Sequence, residues 1–386
     1  MIRSDLNSVV AEENSVHPPK RLLYGPGPSQ VHPRVYEALR QPIVGHLDAY
    51  FFEISGDIQR LLRRVFGTRN ELTFVISATG SGGMETAITN FVEPGMRVVV
   101  LANGFFCDRV SEMARRQGAE VIRLEKPWGA WFEDEEAADF IRREKPKVVV
   151  YVTAETSTGV FQKGTAICSA AHKVDALVIA DCVTSLGAMP VDIDKTGIDI
   201  AYGCTQKGLS CPPGLSPITL SPRAAEWLKA RTNPNRSWYF DLTLLTDYYL
   251  EPHRYHHTAP ISMFYALREG LTLIEEEGLE NRWERHRKAN LDFVGGAESM
   301  GLSMLVPAEH RIWNLVTPRV PTGVNDGKVR ARLLEEHGIE IAGGFGPLAG
   351  KVFRVGLMGS LATTKHVHEF LECFGEALRS AGYRTP

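Results

Sequence analysis

The sequence lacks the features that would place it in a membrane or in an oxidising compartment. No apolar run reaches the roughly 18–20 residues that a membrane-spanning helix needs. No two cysteines form a C-x-x-C pair, so their spacing fits neither a zinc site nor a disulfide framework. The formal net charge of −3 gives no electrostatic reason to expect nucleic acid or an anionic membrane as a partner. We therefore expect a cytoplasmic protein whose thiols are reduced: Cys107, Cys168, Cys182, Cys204, Cys211 and Cys373.

The composition is that of a globular protein, with 44% hydrophobic and 23% charged residues. A chain of 386 residues is long enough for a large domain and a smaller one, because single cores rarely grow past roughly 250–300 residues. Residues 1–20 are polar, lack the apolar core of a secretion signal, and are predicted to form a flexible arm. We expect a large domain over residues 21–262 and a small C-terminal domain over residues 263–386.

Short β-branched runs alternate with helical patterns between residues 70 and 220. Several of the runs do not alternate apolar with polar residues, which indicates strands buried on both faces, as in parallel sheets. Helical patterns lie between them, for instance over Gly83–Val92, Asp108–Gln117 and Gly164–Lys173. The alternation predicts an α/β fold with a mostly parallel seven-stranded sheet flanked by helices. The candidate strands are Thr73–Ser77, Val98–Ala102, Glu120–Leu124, Val148–Thr153, Leu177–Ala180, Ile198–Tyr202 and Ser216–Leu220.

The remainder of the chain predicts a small α+β domain. A long helical pattern runs from Phe264 to Ile274 and continues through Asn281–Gly296. Strands are expected near Arg311–Thr317 and Val352–Gly356, and further helices over Lys328–His337 and Thr364–Ala381.

The first chemical feature is a glycine-rich turn, Ser77 to Gly83, between a predicted strand and a predicted helix. Glycines let backbone N–H groups approach an anion, the hydroxyls add donors, and the helix N-terminus supplies positive potential. The turn lacks the G-K-[ST] of a P-loop and the spacing of a dinucleotide fingerprint. It is a candidate phosphate cradle, although such a turn is often only a turn.

Asp181 and Lys207 each follow a predicted strand. An acid at the carboxyl end of a strand faces the ligand crevice of an open α/β sheet, where it can pair with a protonated heterocyclic nitrogen. A lysine among small and apolar residues loses hydration, which favours the free amine that forms a Schiff base. Taken singly, Asp181 is as consistent with a helix cap, and Lys207 with a surface charge. Together with the cradle, they predict a single site at one sheet edge.

These residues and several longer segments resemble the class V aminotransferases of fold type I, and most closely the alanine/serine–glyoxylate aminotransferases. The resemblance extends from about Leu22 to about Ala381. It rests on the ordered segments Tyr24–Ser29, Ala102–Phe106, Glu155–Val160, Asp181 with Ser185–Gly187, Thr205–Lys207, Tyr255–Pro260 and Arg354–Gly359.

The resemblance implies pyridoxal 5'-phosphate as cofactor. Lys207 would form the Schiff base with it and carry the proton during transfer, and Asp181 would pair with the pyridine nitrogen. Phe106 would stack on the ring where relatives usually have Trp, and Thr156 stands where relatives have Ser near the phenolic oxygen. The residues expected to hold the phosphate are Thr79, Gly80, Ser81 and Gln206. Ser81 stands where the alanine–glyoxylate enzymes have His.

The resemblance also implies substrate contacts and a second subunit. Arg354 would bind the substrate carboxylate bidentately, and Gly25 and Gly27 would restrict the pocket to small side chains. Tyr255 and Thr258 would reach the phosphate in the neighbouring subunit, which implies a homodimer with shared sites. Without the resemblance, Arg354 would be the solvent face of a strand and the two glycines a turn.

Three hypotheses for the function follow from these residues. The first is transamination between alanine or serine and glyoxylate or pyruvate, with pyridoxamine, ureidoglycine or aspartate as alternative amino donors. The second is a class V lyase or cysteine desulfurase. A desulfurase needs a mobile nucleophilic cysteine in its small domain, whereas Cys373 lies within an apolar helical pattern and is expected to be buried. The third is a vestigial non-enzymatic subunit, which the presence of Lys207, Asp181 and Arg354 disfavours.

Overall fold

The computed structural model describes residues 16–384, so most of the predicted N-terminal arm lies outside the described residues. Its centre is a seven-stranded sheet with the spatial order β1-β7-β6-β5-β4-β2-β3. Strand β7 runs antiparallel to both of its neighbours, and the other pairs are parallel. The predicted α/β fold is therefore confirmed. The strands are β1 (Thr73–Ile76), β2 (Arg97–Ala102), β3 (Glu120–Glu125), β4 (Val148–Val152), β5 (Leu177–Asp181), β6 (Ile200–Tyr202) and β7 (Ser216–Leu220).

Helices flank this sheet and bury its inner strands on both faces. Every residue of β4, β5 and β6 is buried, as their uninterrupted apolar runs predict. The helices are α1 (Pro33–Leu39), α2 (Ala49–Phe66), α3 (Gly80–Phe91), α4 (Phe105–Arg116), α5 (Asp134–Glu144), α6 (Thr165–Lys173), α7 (Ile193–Thr196), α8 (Pro222–Ala230), α9 (Leu242–Tyr249), α10 (Ile261–Glu277), α11 (Leu279–Ser299), α12 (Asp326–His337) and α13 (Thr364–Ser380). Over residues 16–384, no helix is both long and apolar enough to cross a membrane.

A second core forms where α11, α12 and α13 pack against a three-stranded antiparallel sheet of Leu315–Val316, Phe353–Gly356 and Ala342–Gly343. The N-terminal segment joins this unit, because Leu22–Leu23 pairs in parallel with Ile339–Glu340. Tyr24 is buried in the second core, where its ring lies 4.7 Å from that of Phe370.

The predicted boundary at residue 262 falls just after the start of α10. The buried side chains of that helix, among them Phe264 and Leu271, pack into the large core around the seven-stranded sheet. By core membership, the small unit begins with α11. The division of the chain into domains stays a prediction.

The long helical pattern after residue 261 forms two helices rather than one. Gly278 separates α10 from α11 with φ = 81° and ψ = 135°, a non-helical conformation with positive φ that side chains rarely adopt. The two predicted segments, Phe264–Ile274 and Asn281–Gly296, lie within α10 and α11. Apolar periodicity on either side of Gly278 is similar, so the pattern alone does not reveal the change in direction.

A partly buried ion-pair network lies beside that break. The Glu277 carboxylate accepts from Arg282 at 2.8 Å and from Arg285 at 2.6 Å. Arg282 also donates to the carbonyl oxygens of Gly187 (2.9 Å) and Gly208 (2.7 Å), next to Lys207. Arg285 donates to the carbonyl oxygens of Gly359 (2.7 Å) and Ala362 (2.9 Å) in the small unit. The network therefore joins the Lys207 loop to the segment that follows the Arg354 strand.

Candidate active site

A cavity of about 380 Å³ opens at the carboxyl ends of β5 and β6, beside the N-termini of α3 and α4. Ligands bind at this edge in open α/β sheets, because the loops after parallel strands converge there. Most of the residues predicted to hold the cofactor line the cavity together with one glycine predicted to contact substrate: Gly27, Thr79, Gly80, Ser81, Phe106, Asp181, Gln206 and Lys207.

The glycine-rich turn forms the first turn of α3. Thr79 is the N-cap, and its side chain makes no capping hydrogen bond, so the hydroxyl is not used by the helix. A Cβ at Gly80 would lie 3.0 Å from Val183 Cγ2 and 3.1 Å from Cys204 Cβ, and one at Gly83 would lie 2.0 Å from Ser216 Oγ. The helix can approach the sheet this closely only without side chains at these positions. Its N-terminal N–H groups therefore lie beside the cavity.

Asp181 is the last residue of β5 and is 3% exposed. Its carboxylate accepts from the Val183 backbone N–H at 2.8 Å and from Tyr202 Oη at 3.0 Å. Burial raises the pKa of this carboxyl to about 6, although both hydrogen bonds act in the opposite direction. A cationic nitrogen placed against Asp181 would offset that burial, because an opposite charge favours the ionised form.

Lys207 lies in the loop after β6 and is 9% exposed. Its Nζ donates to the carbonyl oxygen of Pro26, and burial lowers the pKa of the ammonium group. Gly27 has φ = 115°, and a Cβ there would lie 2.6 Å from Lys207 Cδ. The N-terminal segment can therefore cover the lysine only because residue 27 is glycine. A lysine with a lowered pKa has more of the free amine needed for Schiff-base formation.

Arg354 is buried behind the cavity rather than in its wall. Its Nε donates to the Gly343 carbonyl at 2.7 Å, and Nη1 donates to the Thr156 carbonyl at 3.5 Å. The guanidinium carbon lies 3.9 Å from the centroid of the Phe345 ring, which lines the cavity. Burial lowers the pKa of Arg354 to about 10, and Glu155 opposes that shift. The Thr156 hydroxyl itself hydrogen-bonds to Thr184.

Besides Arg354 and Thr156, three further predicted site residues do not line the cavity of their own chain. Gly25 contacts the small unit, since a Cβ on Gly356 would lie 2.0 Å from the Gly25 carbonyl oxygen. Tyr255 is 62% exposed and Thr258 is exposed. An exposed position is what the resemblance implies for residues that act in a neighbouring subunit, and that role stays a prediction.

The structure adds residues that sequence reasoning missed. Arg109 and Phe345 line the cavity. Glu155 is fully buried, and its carboxylate accepts from the Phe106 N–H at 3.1 Å, from the Ser157 N–H at 3.0 Å and from Ser157 Oγ at 2.6 Å. Burial raises the pKa of Glu155. Glu155 thereby fixes the start of α4, the helix that carries Phe106.

The signals for these residues differ in strength. Arg109 follows Phe106 by one helical turn, which places both on the same face of a predicted helix, so spacing alone could have found it. Glu155 lies within a segment already quoted for the resemblance. Phe345 lies in a glycine-rich stretch without periodicity, and no sequence signal marks it.

The adjacent histidines of the 255–260 segment have structural partners. His257 Nε2 lies 2.6 Å from Ser77 Oγ, and the ring of His256 stacks on Trp238 at 4.3 Å. Burial lowers the pKa of His257 to about 4, so the ring is neutral near pH 7. No group of three or more potential metal ligands occurs within residues 16–384.

Comparison with known proteins gives a consistent family. Residues 22–355 match the family described as aminotransferase class-V. Alanine–glyoxylate aminotransferase of Rattus norvegicus is 38% identical over 94% of this chain and 88% of its own length. The (S)-ureidoglycine–glyoxylate transaminase of Bacillus subtilis is 39% identical over 88% of this chain and 86% of its own. A solved alanine–glyoxylate aminotransferase from Nostoc sp. superimposes with a TM-score of 0.93, 43% identity and coverage of 98% and 100%.

The family match includes the seven-stranded sheet and every segment that borders the cavity, and it ends before α13 of the second core. The resemblance inferred from the seven segments is therefore confirmed, and with it the prediction of an aminotransferase. The chain belongs to the class V aminotransferase family.

Proposed function

We propose that the protein uses pyridoxal 5'-phosphate, attached through Lys207, to transfer an amino group from alanine or serine to glyoxylate or pyruvate. The observation that carries this proposal is that Asp181 and Lys207 line one cavity beside the N-terminus of α3. One cavity thus contains an acid that can pair with a heterocyclic nitrogen, an amine that can bind an aldehyde, and backbone N–H groups that can bind a phosphate.

The donor set fits this cofactor. The Thr79 hydroxyl and the first-turn N–H groups of α3 are donors for a phosphate, and close packing at Gly80 brings them to the cavity. Gln206 lines the same cavity, and its side-chain NH₂ group is a further donor for a phosphate. Phe106 offers an apolar face for an aromatic ring. A volume of about 380 Å³ is in the range of small-molecule sites.

When bound, the cofactor would supply an electron sink for the charge that develops as the substrate Cα loses its proton. Asp181, held by Val183 and Tyr202, keeps a pyridine nitrogen protonated. Lys207, with its lowered pKa, would hold the cofactor as the nucleophilic amine and would carry the proton at the substrate Cα. Arg354, which lies behind the Phe345 ring, would bind the substrate carboxylate and so fix the direction of the Cα–H bond.

The cavity wall and the named relatives both support small substrates. Gly27 lies against the Lys207 side chain, and Phe106 and Phe345 occupy other parts of the cavity wall. Both named relatives are glyoxylate aminotransferases, which supports glyoxylate as the acceptor. The amino donors in the names of these two relatives differ, so the relatives constrain the amino donor of this protein less than they constrain its acceptor. Ureidoglycine, pyridoxamine and aspartate are therefore the alternative amino donors.

One experiment tests the proposal directly. Purified protein is mixed with each amino donor in turn, and the loss of the cofactor's visible absorption band is followed. The aminated protein is then mixed with glyoxylate or pyruvate, and the return of that band is followed. We expect alanine or serine to give the fastest loss and glyoxylate the fastest recovery. Borohydride reduction should leave the cofactor covalently attached to wild type but not to Lys207→Ala, and attachment to the variant would contradict the assignment.

The hypothesis of a lyase or desulfurase is less well supported than that of a transaminase. Cys373 lies within α13 and is half-buried rather than fully buried, and its pKa is raised chiefly by burial. A thiol with a raised pKa inside a regular helix lacks the reactivity and mobility of a desulfurase nucleophile. Sulfide release from L-cysteine at a rate comparable with transamination would favour that alternative. The homodimer and the cytoplasmic location stay predictions.

A further inference from the structure

Arg109 is a cationic side chain in the cavity wall to which neither the sequence pattern nor the resemblance gave a role. It lies on α4, one turn after Phe106, and lines the same cavity as Thr79, Gly80 and Ser81. Its Nη1 donates to Ser81 Oγ at 2.8 Å. The guanidinium carbon lies 4.9 Å from the Phe106 ring centroid. One side chain therefore joins the wall predicted to stack on the cofactor ring to the predicted phosphate cradle.

The guanidinium has no carboxylate partner. Over residues 16–384, no acidic oxygen lies within 4.0 Å of it. The two acids near it on α4 pair elsewhere, Asp108 with Arg123 at 2.6 Å and Glu112 with Arg116 at 2.9 Å. A positive charge at a cavity wall without a neutralising acid favours an anion in that cavity.

The direction of the Ser81 hydrogen bond supports the same conclusion. Because the guanidinium has no acceptor, Ser81 Oγ must accept from Arg109, which leaves the hydroxyl proton to be donated elsewhere. In the part of the chain that the structure describes, no protein acceptor receives that proton. Ser81 lies in the first turn of α3, where backbone N–H groups and the helix dipole also favour negative charge.

We propose that Arg109 supplies the positive charge of the phosphate subsite and acts on the phosphate through the Ser81 hydroxyl. The inference rests on the proposed function, since the anion is the phosphate of the proposed cofactor. The residues already predicted to hold that group, Thr79, Gly80, Ser81 and Gln206, are all uncharged. A dianion surrounded only by neutral donors would be poorly neutralised, and Arg109 provides the missing charge at the same cradle.

The test compares a phosphorylated with a non-phosphorylated ligand. Apo-protein is titrated with pyridoxal 5'-phosphate and with pyridoxal, and the dissociation constant of each is measured from tryptophan fluorescence. For Arg109→Gln we expect the Kd of the phosphorylated ligand to rise roughly 10- to 100-fold, while that of pyridoxal stays within about twofold. Arg109→Lys should retain part of the affinity because it keeps the charge. Arg115→Gln, an exposed arginine on the same helix, is the matched control and should leave both constants unchanged.

Two results would overturn the inference. One is an unchanged Kd for pyridoxal 5'-phosphate in Arg109→Gln; the other is an equal loss for both ligands, which would mean that the arginine only supports Phe106. If Arg109→Gln does not fold, Arg109→Met provides a second neutral replacement. Failure of the proposed function is a separate outcome, because wild type would then form no borohydride-reducible link at Lys207 whatever residue 109 does.

Discussion

Tyr202 Oη donates a 3.0 Å hydrogen bond to Asp181 Oδ2, so the strand next to β5 holds the carboxylate that faces the cavity. The first prediction concerns this pair. Tyr202→Phe removes one donor to a charged group and should lower kcat/KM roughly 10-fold. Asp181→Asn removes the charge itself and should lower kcat by roughly 100-fold or more. Tyr248→Phe is the control, because Tyr248 Oη donates to the His46 carbonyl away from the cavity. An equal loss of kcat/KM in the Tyr202 and Asp181 variants would contradict the assignment of Asp181 as the charged group and Tyr202 as its supporting donor.

The second prediction is a pH dependence of stability in the apo-protein. The Asp181 pKa is about 6 in the folded state and about 3.9 in an unfolded chain, so below about pH 4 the carboxyl is protonated in both states. Between about pH 4 and pH 6 the unfolded chain loses this proton while the folded protein retains it, so stability falls over that window and levels off above about pH 6. Wild type should therefore lose at most about 3 kcal/mol of unfolding free energy relative to Asp181→Asn.

This pH prediction is checked by denaturant unfolding of both apo-proteins between about pH 4 and pH 8. Glu155 is buried and also has a raised pKa, but it is present in both proteins and its contribution largely cancels in the difference. A difference that does not change with pH, or that grows in favour of wild type, would show that residue 181 is not desolvated as described.

Glu155 gives the third prediction. Glu155→Gln replaces an acceptor with an NH₂ group that must face either the Phe106 N–H or the Ser157 donors. We expect the unfolding free energy to fall by about 1–3 kcal/mol and the visible circular dichroism of bound cofactor to change, because α4 carries Phe106. Glu112→Gln, an exposed acid on the same helix, should do neither. Unchanged dichroism would limit Glu155 to a stabilising role.

Phe345 gives the fourth prediction. Its ring covers the Arg354 guanidinium at 3.9 Å, so Phe345→Leu should leave the arginine less well oriented. The KM for glyoxylate should rise about 3- to 10-fold with little change in kcat, as expected when binding to ground state and transition state weakens equally. Phe140→Leu removes a similar cation–π contact with Arg143 on α5, outside the cavity, and serves as the control. A fall in kcat at unchanged KM would contradict this role.

The fifth prediction tests whether sites are shared between subunits. Lys207→Ala and Tyr255→Ala should each be poorly active alone, and mixing them under conditions of subunit exchange should restore activity. One site of the mixed dimer would combine an intact lysine from one subunit with an intact tyrosine from the other. No recovery after exchange, verified with differently tagged subunits, would mean that Tyr255 acts within its own chain or not at all.

The sheet could be predicted because the residues within each strand indicate that both of its faces are buried. The uninterrupted apolar runs of β4 and β5 mark strands buried on both faces, and each predicted strand ends within one or two residues of the observed one. The placement of Asp181 and Lys207 at one edge followed from the rule that loops after parallel strands converge. The residues around them depend on long-range packing, so the sequence does not reveal that Glu155 supports α4 or that Phe345 covers Arg354. The Tyr255 ring lies 5.1 Å from that of His46 in its own chain, and its predicted role in a neighbouring subunit is not encoded in local patterns.

The ion-pair network around Glu277 constrains how the two units can move. Arg282 is bonded to the loop of the reactive lysine, and Arg285 to the small unit, through one shared carboxylate. A rigid-body rotation that separated these contacts would leave the buried Arg282 guanidinium without its acceptors, so we expect any hinge axis to pass close to the Glu277 network. Displacement grows with distance from an axis. The lysine loop is bonded to this network, so we expect it to move least when the small unit moves relative to the large one.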